Sequence, residues 1–391
     1  MALRDNAIIG FAETKIEARA GRHVWELGGE VLESLIASTG TEKAEIDGML
    51  INASISGAGN CFWSQTTAEF LGLELDFCQT VDIGGSSAVG AVARAAAALD
   101  AGLCTTILLL NIDTQATDQA TLNMRSFHDE WQYPQGLLGG PADFGLLSRR
   151  YDHLYGLDVE ALGKLAVTQR NHALLNDNAC EKLRKPITVE DYLNSRMIAD
   201  PIRLLDCVMT CDGGNGLLMT TRKRAKEKGL DNFAVPLGYG ERTNYRANEN
   251  LTDITETGHC IAGQKAFAQA GLKPQDMGSY QPYDDFLIAV MIKLEMLGFA
   301  KRGQGAAFIK EHNLAHDGDL PINTGGGQIS AGQPGLAGGG VNLIEGVRQV
   351  FGKGGARQVK NREYALVTGI GGLRYVRNWN TSTALILGAE G

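Results

Sequence analysis

The stretch Asp82–Gly90, DIGGSSAVG, decides how the rest of the chain is read. It closes the apolar segment DFCQTVDI and opens an alanine-rich one, with two glycines in the turn and Ser86 and Ser87 at the mouth of the second segment. A strand–turn–helix junction of this kind presents a nucleophile or binds an anion through the free N–H groups of the first helical turn. The helix expected over 86–101, SSAVGAVARAAAALDA, has small residues on every face, so it packs tightly between sheets. Gly102 ends it, and CTTILLLNID follows as the wholly apolar strand of a buried sheet.

Outward from there, AIIGFAET and EIDGMLINAS read as strands and 23–39 and 62–72 as helices. From 118 to 205 aromatic and charged residues take over, as in SRRYDHLYG, which marks an inserted helical and loop region. The alternation restarts after 230, with helices near 258–271, 286–298 and 341–352 and closing strands in REYALVTGIGG and TALILG. The order strand, glycine-rich turn, helix, strand around DIGGSSAVG returns in PINTGGG, 341–352 and YALVTGIGG, the pattern of a duplicated α/β unit.

The 391 residues are enough for roughly two or three domains. With 44% hydrophobic and 21% charged residues the chain reads as soluble and globular, and its 50 glycines fall in turns rather than in a fixed repeat. A net charge of -9 excludes nucleic acid as the expected partner, and RKRAKEK at 222–228 reads as a solvated helix face. No apolar run approaches the roughly 18 residues of a membrane span, and the opening MALRDNAIIGFAETK has no signal-peptide pattern. Seven dispersed cysteines fit a reducing, cytoplasmic setting. Cys207 and Cys211 lack a second ligand pair, so no metal is expected.

Five motifs, RRYDHLYG, NSRMIADPIRLLDCVMTCDGG, YDDF with LEMLGF, NTGGGQISAGQP and VTGIGG, occur in an order and spacing that resemble the thiolase superfamily, in its sterol-carrier-protein-thiolase-like branch. The resemblance runs over nearly the whole chain. It implies an α/β thiolase fold of two similar halves in five α-β-α-β-α layers. The N-terminal half would span 1–117 and 206–229, an inserted loop domain 118–205, and the C-terminal half 230–391. It further implies a homodimer and a coenzyme A thioester as substrate, with no bound cofactor.

The departures carry the functional reading. The family's nucleophilic cysteine falls on Gly85, its serine on Ser87, the histidine of G-H-P on Gln333, the second cysteine on Gly369, and the asparagine of N-E-A-F on Tyr283. Glycine cannot be acylated, so the double-displacement route is closed. Ser86 and Ser87 have no neighbouring histidine to activate them and read as helix caps. The remaining equipment is electrostatic: the helix mouths at 84–88 and 369–372 offer N–H groups to an oxyanion, Gln333 donates an amide N–H, and Tyr283 can donate or accept a proton. Such equipment suits retro-aldol cleavage of a β-hydroxyacyl-CoA, whose leaving enolate an oxyanion hole can hold.

Thiolase-like proteins without the cysteine that this chain resembles are aldolases of steroid side chains, and they pair with an OB-fold DUF35-type protein. They carry tyrosine at both the Tyr283 and Gln333 positions. His128, Tyr280 and Asp284 are further candidates to protonate the enolate. Asp284 and Asp285 also read as caps of the helix beginning near Phe286. Ser86, Ser87, Gly338 and Gly339 are the expected contacts to the thioester and its pantetheine arm, the two glycines because they admit close backbone approach. An acyltransferase using a serine or a partner's nucleophile, and a catalytically silent scaffold, are the competing readings.

Overall fold

The computed structural model describes residues 3–119, 129–137, 139–249, 253–374 and 378–390. Nine strands build the two main sheets among the described residues: β1 Asn6–Glu13, β2 Gly48–Asn52, β3 Phe77–Val81, β4 Thr106–Asp113, β5 Gly213–Thr221, β6 Phe233–Thr243, β7 Ser279–Pro282, β8 Tyr364–Ile370 and β9 Thr381–Glu390. The first five are ordered β3-β2-β4-β5-β1, parallel at β3-β2-β4 and antiparallel at β4-β5-β1. The last four are ordered β7-β8-β9-β6, parallel at β7-β8 and antiparallel beyond.

A bridge from Tyr280 to Ile322, parallel to β7, completes the correspondence. Each half then runs third-second-fourth-fifth-first with the same strand directions. The duplicated unit read from the sequence is present, with the third strand of the second half reduced to that bridge. The two sheets meet through one register pair, Ile8 with Ala234.

Five of the helices set the layers: α1 Val24–Thr39, α2 Trp63–Leu71, α3 Ser87–Asp100, α4 His259–Ala270 and α5 Gly338–Val350. Helix α1 covers β1, β4 and β5, and α4 covers β6 and β9, so these lie outside. Helices α3 and α5 touch each other and strands of both sheets, which makes them the central layer. The result is α-β-α-β-α. The small residues of α3 serve this position: Ala88, Gly90, Ala91, Ala95 and Ala98 are buried and let two sheets and a second helix approach.

Helix α5 starts at Gly338, three residues earlier than its sequence pattern indicates. Helix propensity is lowest for glycine among residues other than proline, so AGGGV reads as a turn, yet tertiary packing overrides it. A Cβ at Gly340 would run into the side-chain amide of Asn215 on β5, so the helix can lie this close to the sheet only with glycine there. Glu345 anchors the same helix from within. It is buried, pairs with Arg348 and Arg357 at 3.1 Å each, and accepts from Thr324 at 2.8 Å.

Candidate active site

The two glycine-rich turns meet at the centre of the molecule; the first opens helix α3, whereas 369–372, expected as a helix mouth, ends β8 and leads into the short strand Leu373–Arg374. A Cβ at Gly369 would lie 2.7 Å from the Ser86 Cα, which puts VTGIGG directly against GGSSAVG. The loop after β7 enters from one side with Tyr283, and the segment Gln333–Pro334 enters from another. The latter pairs in parallel with Thr210–Cys211, and the Gln333 N–H donates to Met209 O at 3.0 Å.

Tyr283 fills the space over Gly85. A Cβ built on Gly85 would overlap the Cε2 and Cζ atoms of Tyr283 and lie 2.5 Å from its hydroxyl oxygen. Gln333 Nε2 donates to that hydroxyl at 3.3 Å and to Gln328 Oε1 at 3.1 Å. Tyr283 is 6% exposed. Its burial, with the Asp285 and Asp284 carboxylates nearby, pushes its phenol above the ordinary range, so it stays protonated at neutral pH.

The backbone that presents Tyr283 is clamped at every polar group. Pro282 O accepts from Asn342 Nδ2 at 2.8 Å and Asn323 Nδ2 at 3.2 Å. Tyr283 N–H donates to Thr368 O at 3.0 Å, and Tyr283 O accepts from the buried Lys293 ammonium. Asp284 accepts from Gln328 N–H, Ile329 N–H, Gln169 Nε2 and Asn342 Nδ2, all within 2.9–3.3 Å. Burial still raises its carboxyl, to about 6.

This corrects the cap expected from YDDF. The helix Leu287–Met296 has no side-chain cap, and Asp284 instead satisfies the opening N–H groups of the short helix Gly327–Ala331. That helix lies inside the glycine run NTGGGQISAG, to which the sequence reading assigns no helix.

The serines are also bound differently from the caps expected. Ser86 is the N-terminal boundary residue of α3 but makes no side-chain cap bond; its hydroxyl donates to Thr381 O at 3.1 Å. Ser87 donates to Gly84 O at 2.7 Å and accepts from Ile83 N–H at 3.0 Å, so it fastens the turn. Both are buried, and neither touches a base.

Gly339 lies against the Gly85 carbonyl, where a Cβ would come within 2.5 Å, and Gly338 against Gln328 and Gln333. Both glycines therefore border the site and have a packing reason of their own. His259 is fully buried between Thr257 Oγ1 at 2.8 Å and Gly369 O at 3.0 Å, and burial pushes it down to about 3. It is a neutral strut for Gly369. Tyr280 bonds Thr368 Oγ1 at 3.3 Å and stacks on Phe299, turned into the core. His128 lies outside the described residues.

Gln328, Lys293, Asn342 and Asp113 are site residues that the sequence reading missed. Asp113, at the end of β4, accepts from the N–H groups of Ile55, Ser56 and Leu336 at 2.9–3.1 Å and so ties the Gln333 loop to the first half. Among the described residues, buried Gln328 Nε2 and Thr383 Oγ1 have no hydrogen-bond partner, and Thr383 Oγ1 lies 2.7 Å from where a Gly369 Cβ would be. Unmet buried donors cost about 1–3 kcal/mol each, and a polar ligand would relieve them. Among the described residues no cluster of side chains could hold a metal, and no helix is long and apolar enough to cross a membrane.

These features define a thiolase-type protein of two similar α/β halves in which a phenol stands over Gly85. Comparison with known proteins agrees. Residues 240–389 match the family described as thiolase C-terminal domain-like. A steroid side-chain-cleaving aldolase of Thermomonospora curvata is 34% identical over 341 residues, 83% of this chain and 85% of its own. A 17-hydroxy-3-oxo-4-pregnene-20-carboxyl-CoA lyase of Mycobacterium tuberculosis is 31% identical over 386 residues, 93% of this chain and 95% of its own. The solved Ltp2-ChsH2(DUF35) aldolase superposes with a TM-score of 0.86 at 31% identity, covering 99% of this chain and 98% of that one. The chain belongs to the thiolase superfamily, within its branch of steroid side-chain-cleaving aldolases.

Proposed function

We propose that the protein cleaves a β-hydroxyacyl-CoA with a steroid-type acyl group by retro-aldol chemistry, without an acyl-enzyme. The observation that carries this is the overlap of Tyr283 with any side chain at position 85. The site cannot hold a nucleophile there, and it offers a protonated phenol in its place. Loss of the β-hydroxyl proton turns the C–O bond into a carbonyl, the Cα–Cβ bond breaks, and the electron pair passes to the thioester as an enolate. Gln333 Nε2 and the Thr383 hydroxyl, which has no partner among the described residues, are the donors available to the enolate oxygen, since the Ser86, Ser87 and Gly371 N–H groups are bound to Ile83 O, Gly84 O and Thr381 O. Gly338 and Gly339 would lie along the pantetheine arm. The acyltransferase reading fares worse, because both Ser86 and Ser87 hydroxyls are committed to backbone carbonyls.

The working assembly in this proposal is a homodimer joined to an OB-fold DUF35-type protein, in the cytoplasm. The resemblance to the Ltp2-ChsH2(DUF35) aldolase supports the second component. The test is to isolate the native protein with whatever co-purifies and to supply 17-hydroxy-3-oxo-4-pregnene-20-carboxyl-CoA. The C17–C20 bond of that thioester lies between the hydroxyl-bearing carbon and the α-carbon, so cleavage releases a 17-ketone and propionyl-CoA. Their appearance, with an OB-fold protein in the complex, establishes the reading. A complex that leaves this and other β-hydroxyacyl-CoA thioesters intact removes it.

A further inference from the structure

We propose that the Asp285 carboxylate takes the β-hydroxyl proton and that the Tyr283 phenol returns a proton to the α-carbon of the enolate. This rests on the retro-aldol reading and assigns its two proton transfers.

Most ionisable side chains around Tyr283 are already committed. Asp284 is saturated by four donors, His259 is held on both nitrogens, Tyr280 is turned into the core and Asp113 is enclosed by backbone N–H groups. Asp285 differs. It sits two residues beyond Tyr283 on the same clamped loop and is only partly buried. Its Oδ1 accepts from the Phe286 N–H at 3.1 Å, and its Oδ2 accepts no hydrogen bond from the described residues. An open carboxylate oxygen beside the phenol that marks the reacting position is what a general base requires.

Lys293 explains how a carboxylate is kept there. It is the buried cation of the helix Leu287–Met296, its ammonium donates to Tyr283 O, and Asp285 is the acidic group that acts on it most strongly, ahead of Asp284. The groups facing Asp285 are thus Lys293 from that helix, Asp284 and Tyr283 on its own loop, and Cys207, whose segment bridges Phe286. Burial raises the Asp285 carboxyl to about 7, Lys293 opposing and Asp284 reinforcing. A base matched to neutral pH sits next to a phenol held above its usual range, and the two environments assign opposite roles.

The cycle balances. The hydroxyl O–H bond breaks and its proton goes to Asp285 Oδ2, while the electron pair left on oxygen forms the carbonyl. The Cα–Cβ pair becomes the enolate, whose α-carbon takes the Tyr283 proton. The phenolate then regains a proton from solvent and the Asp285 carboxylic acid releases its own to solvent, so exchange at the α-carbon calls on Tyr283 and not on Asp285. Substrate divides into ketone and acyl-CoA with no oxidant or reductant.

The experiment uses the isolated complex, the same steroid thioester, and propionyl-CoA in deuterium oxide, which reports enolate protonation alone. Asp285→Asn is expected to lower kcat for cleavage about 100-fold or more, within the range of lost general-base catalysis, while still exchanging the α-hydrogens of propionyl-CoA. Asp285→Glu is expected to recover at least tenfold over Asp285→Asn. Tyr283→Phe is expected to lose both cleavage and exchange. Retained exchange also shows that the Asn variant is folded; should it not fold, the decision passes to Asp285→Glu, whose acid limb of the kcat pH profile must shift from that of the wild type. The proposal is overturned if Asp285→Asn cleaves within threefold of wild type, if it loses exchange and cleavage by the same factor while folded, or if the Glu variant leaves the acid limb in place. Wild-type complex that cleaves no β-hydroxyacyl-CoA overturns the functional reading as well; wild-type cleavage with an unimpaired Asn variant overturns this assignment alone.

Discussion

The ring of Tyr283 and the bare Cα of Gly85 occupy one packing site: a Cβ on Gly85 would lie 2.5 Å from the Tyr283 hydroxyl and overlap its ring. The tyrosine ring and a side chain at position 85 are therefore mutually exclusive. A side chain introduced at position 85 evicts the phenol.

Gly85→Ala accordingly reduces cleavage to near background and destabilises the protein by about 1–3 kcal/mol, the usual cost of overpacking a filled core. In the double variant with Tyr283→Ala the clash is gone, so the two stability losses are strongly non-additive. Denaturant midpoints of the two single variants and the double variant measure this. Additive losses would mean that the Tyr283 ring does not occupy the site.

Gln333 donates from one nitrogen to both Tyr283 and Gln328. Gln333→Leu removes the donor nearest the phenol while keeping much of the side-chain bulk. The expected loss is about 10²-fold in kcat, the scale of one oxyanion-hole donor, with KM changed only a few-fold. Steady-state kinetics on the steroid thioester decide it. An equal loss carried wholly by KM would make Gln333 a binding residue that does not act on the transition state.

Much of this site is legible in the chain itself. Gly85 lies 198 residues from Tyr283, and Gln333 and Gly369 lie 50 and 86 beyond it, yet the family resemblance groups the four and the structure brings them together. Helices whose pattern is apolar and periodic, such as α3 and α4, begin and end within a residue of their sequence limits. The features that escape are decided by contacts distant in sequence. Asp284 looks like a local cap in YDDF, but its donors are 44, 45, 58 and 115 residues away. The helix Gly327–Ala331 forms in a glycine run because that buried carboxylate holds its first N–H groups, something no propensity encodes. Lys293 reads as a surface residue by type and is fully buried.

Asp284→Ala leaves two buried backbone N–H groups and two side-chain amides without their acceptor. Removing one partner from such a buried charged network costs about 3–5 kcal/mol. Asp284→Asn, which keeps one acceptor oxygen, loses less. Chemical denaturation orders wild type, Asn variant and Ala variant in decreasing stability; an Ala variant as stable as wild type would mean that Tyr283 is held without this clamp.

His172, in the helix Val159–Leu174, is buried with its Nδ1 3.1 Å from Asn323 O, and burial lowers it to about 4. An exposed histidine titrates at about 6.5, so between those values the unfolded chain holds a proton that the folded chain refuses. Stability contributed by the neutral ring is full above pH 6.5 and declines as pH falls toward 4, by up to about 1.4 kcal/mol per pH unit. His259 acts with the same sign, while the raised carboxyls of Asp206 and Asp284 act with the opposite one. A comparison of variants isolates His172, because the other groups are common to both chains. His172→Asn is therefore less stable than wild type at pH 7.5 through its altered contact with Asn323, yet loses less on acidification between pH 6.5 and 4. Urea titrations at half-unit pH steps give the two slopes. Equal slopes would assign that proton uptake to another group and make His172 a packing residue without a titration of its own.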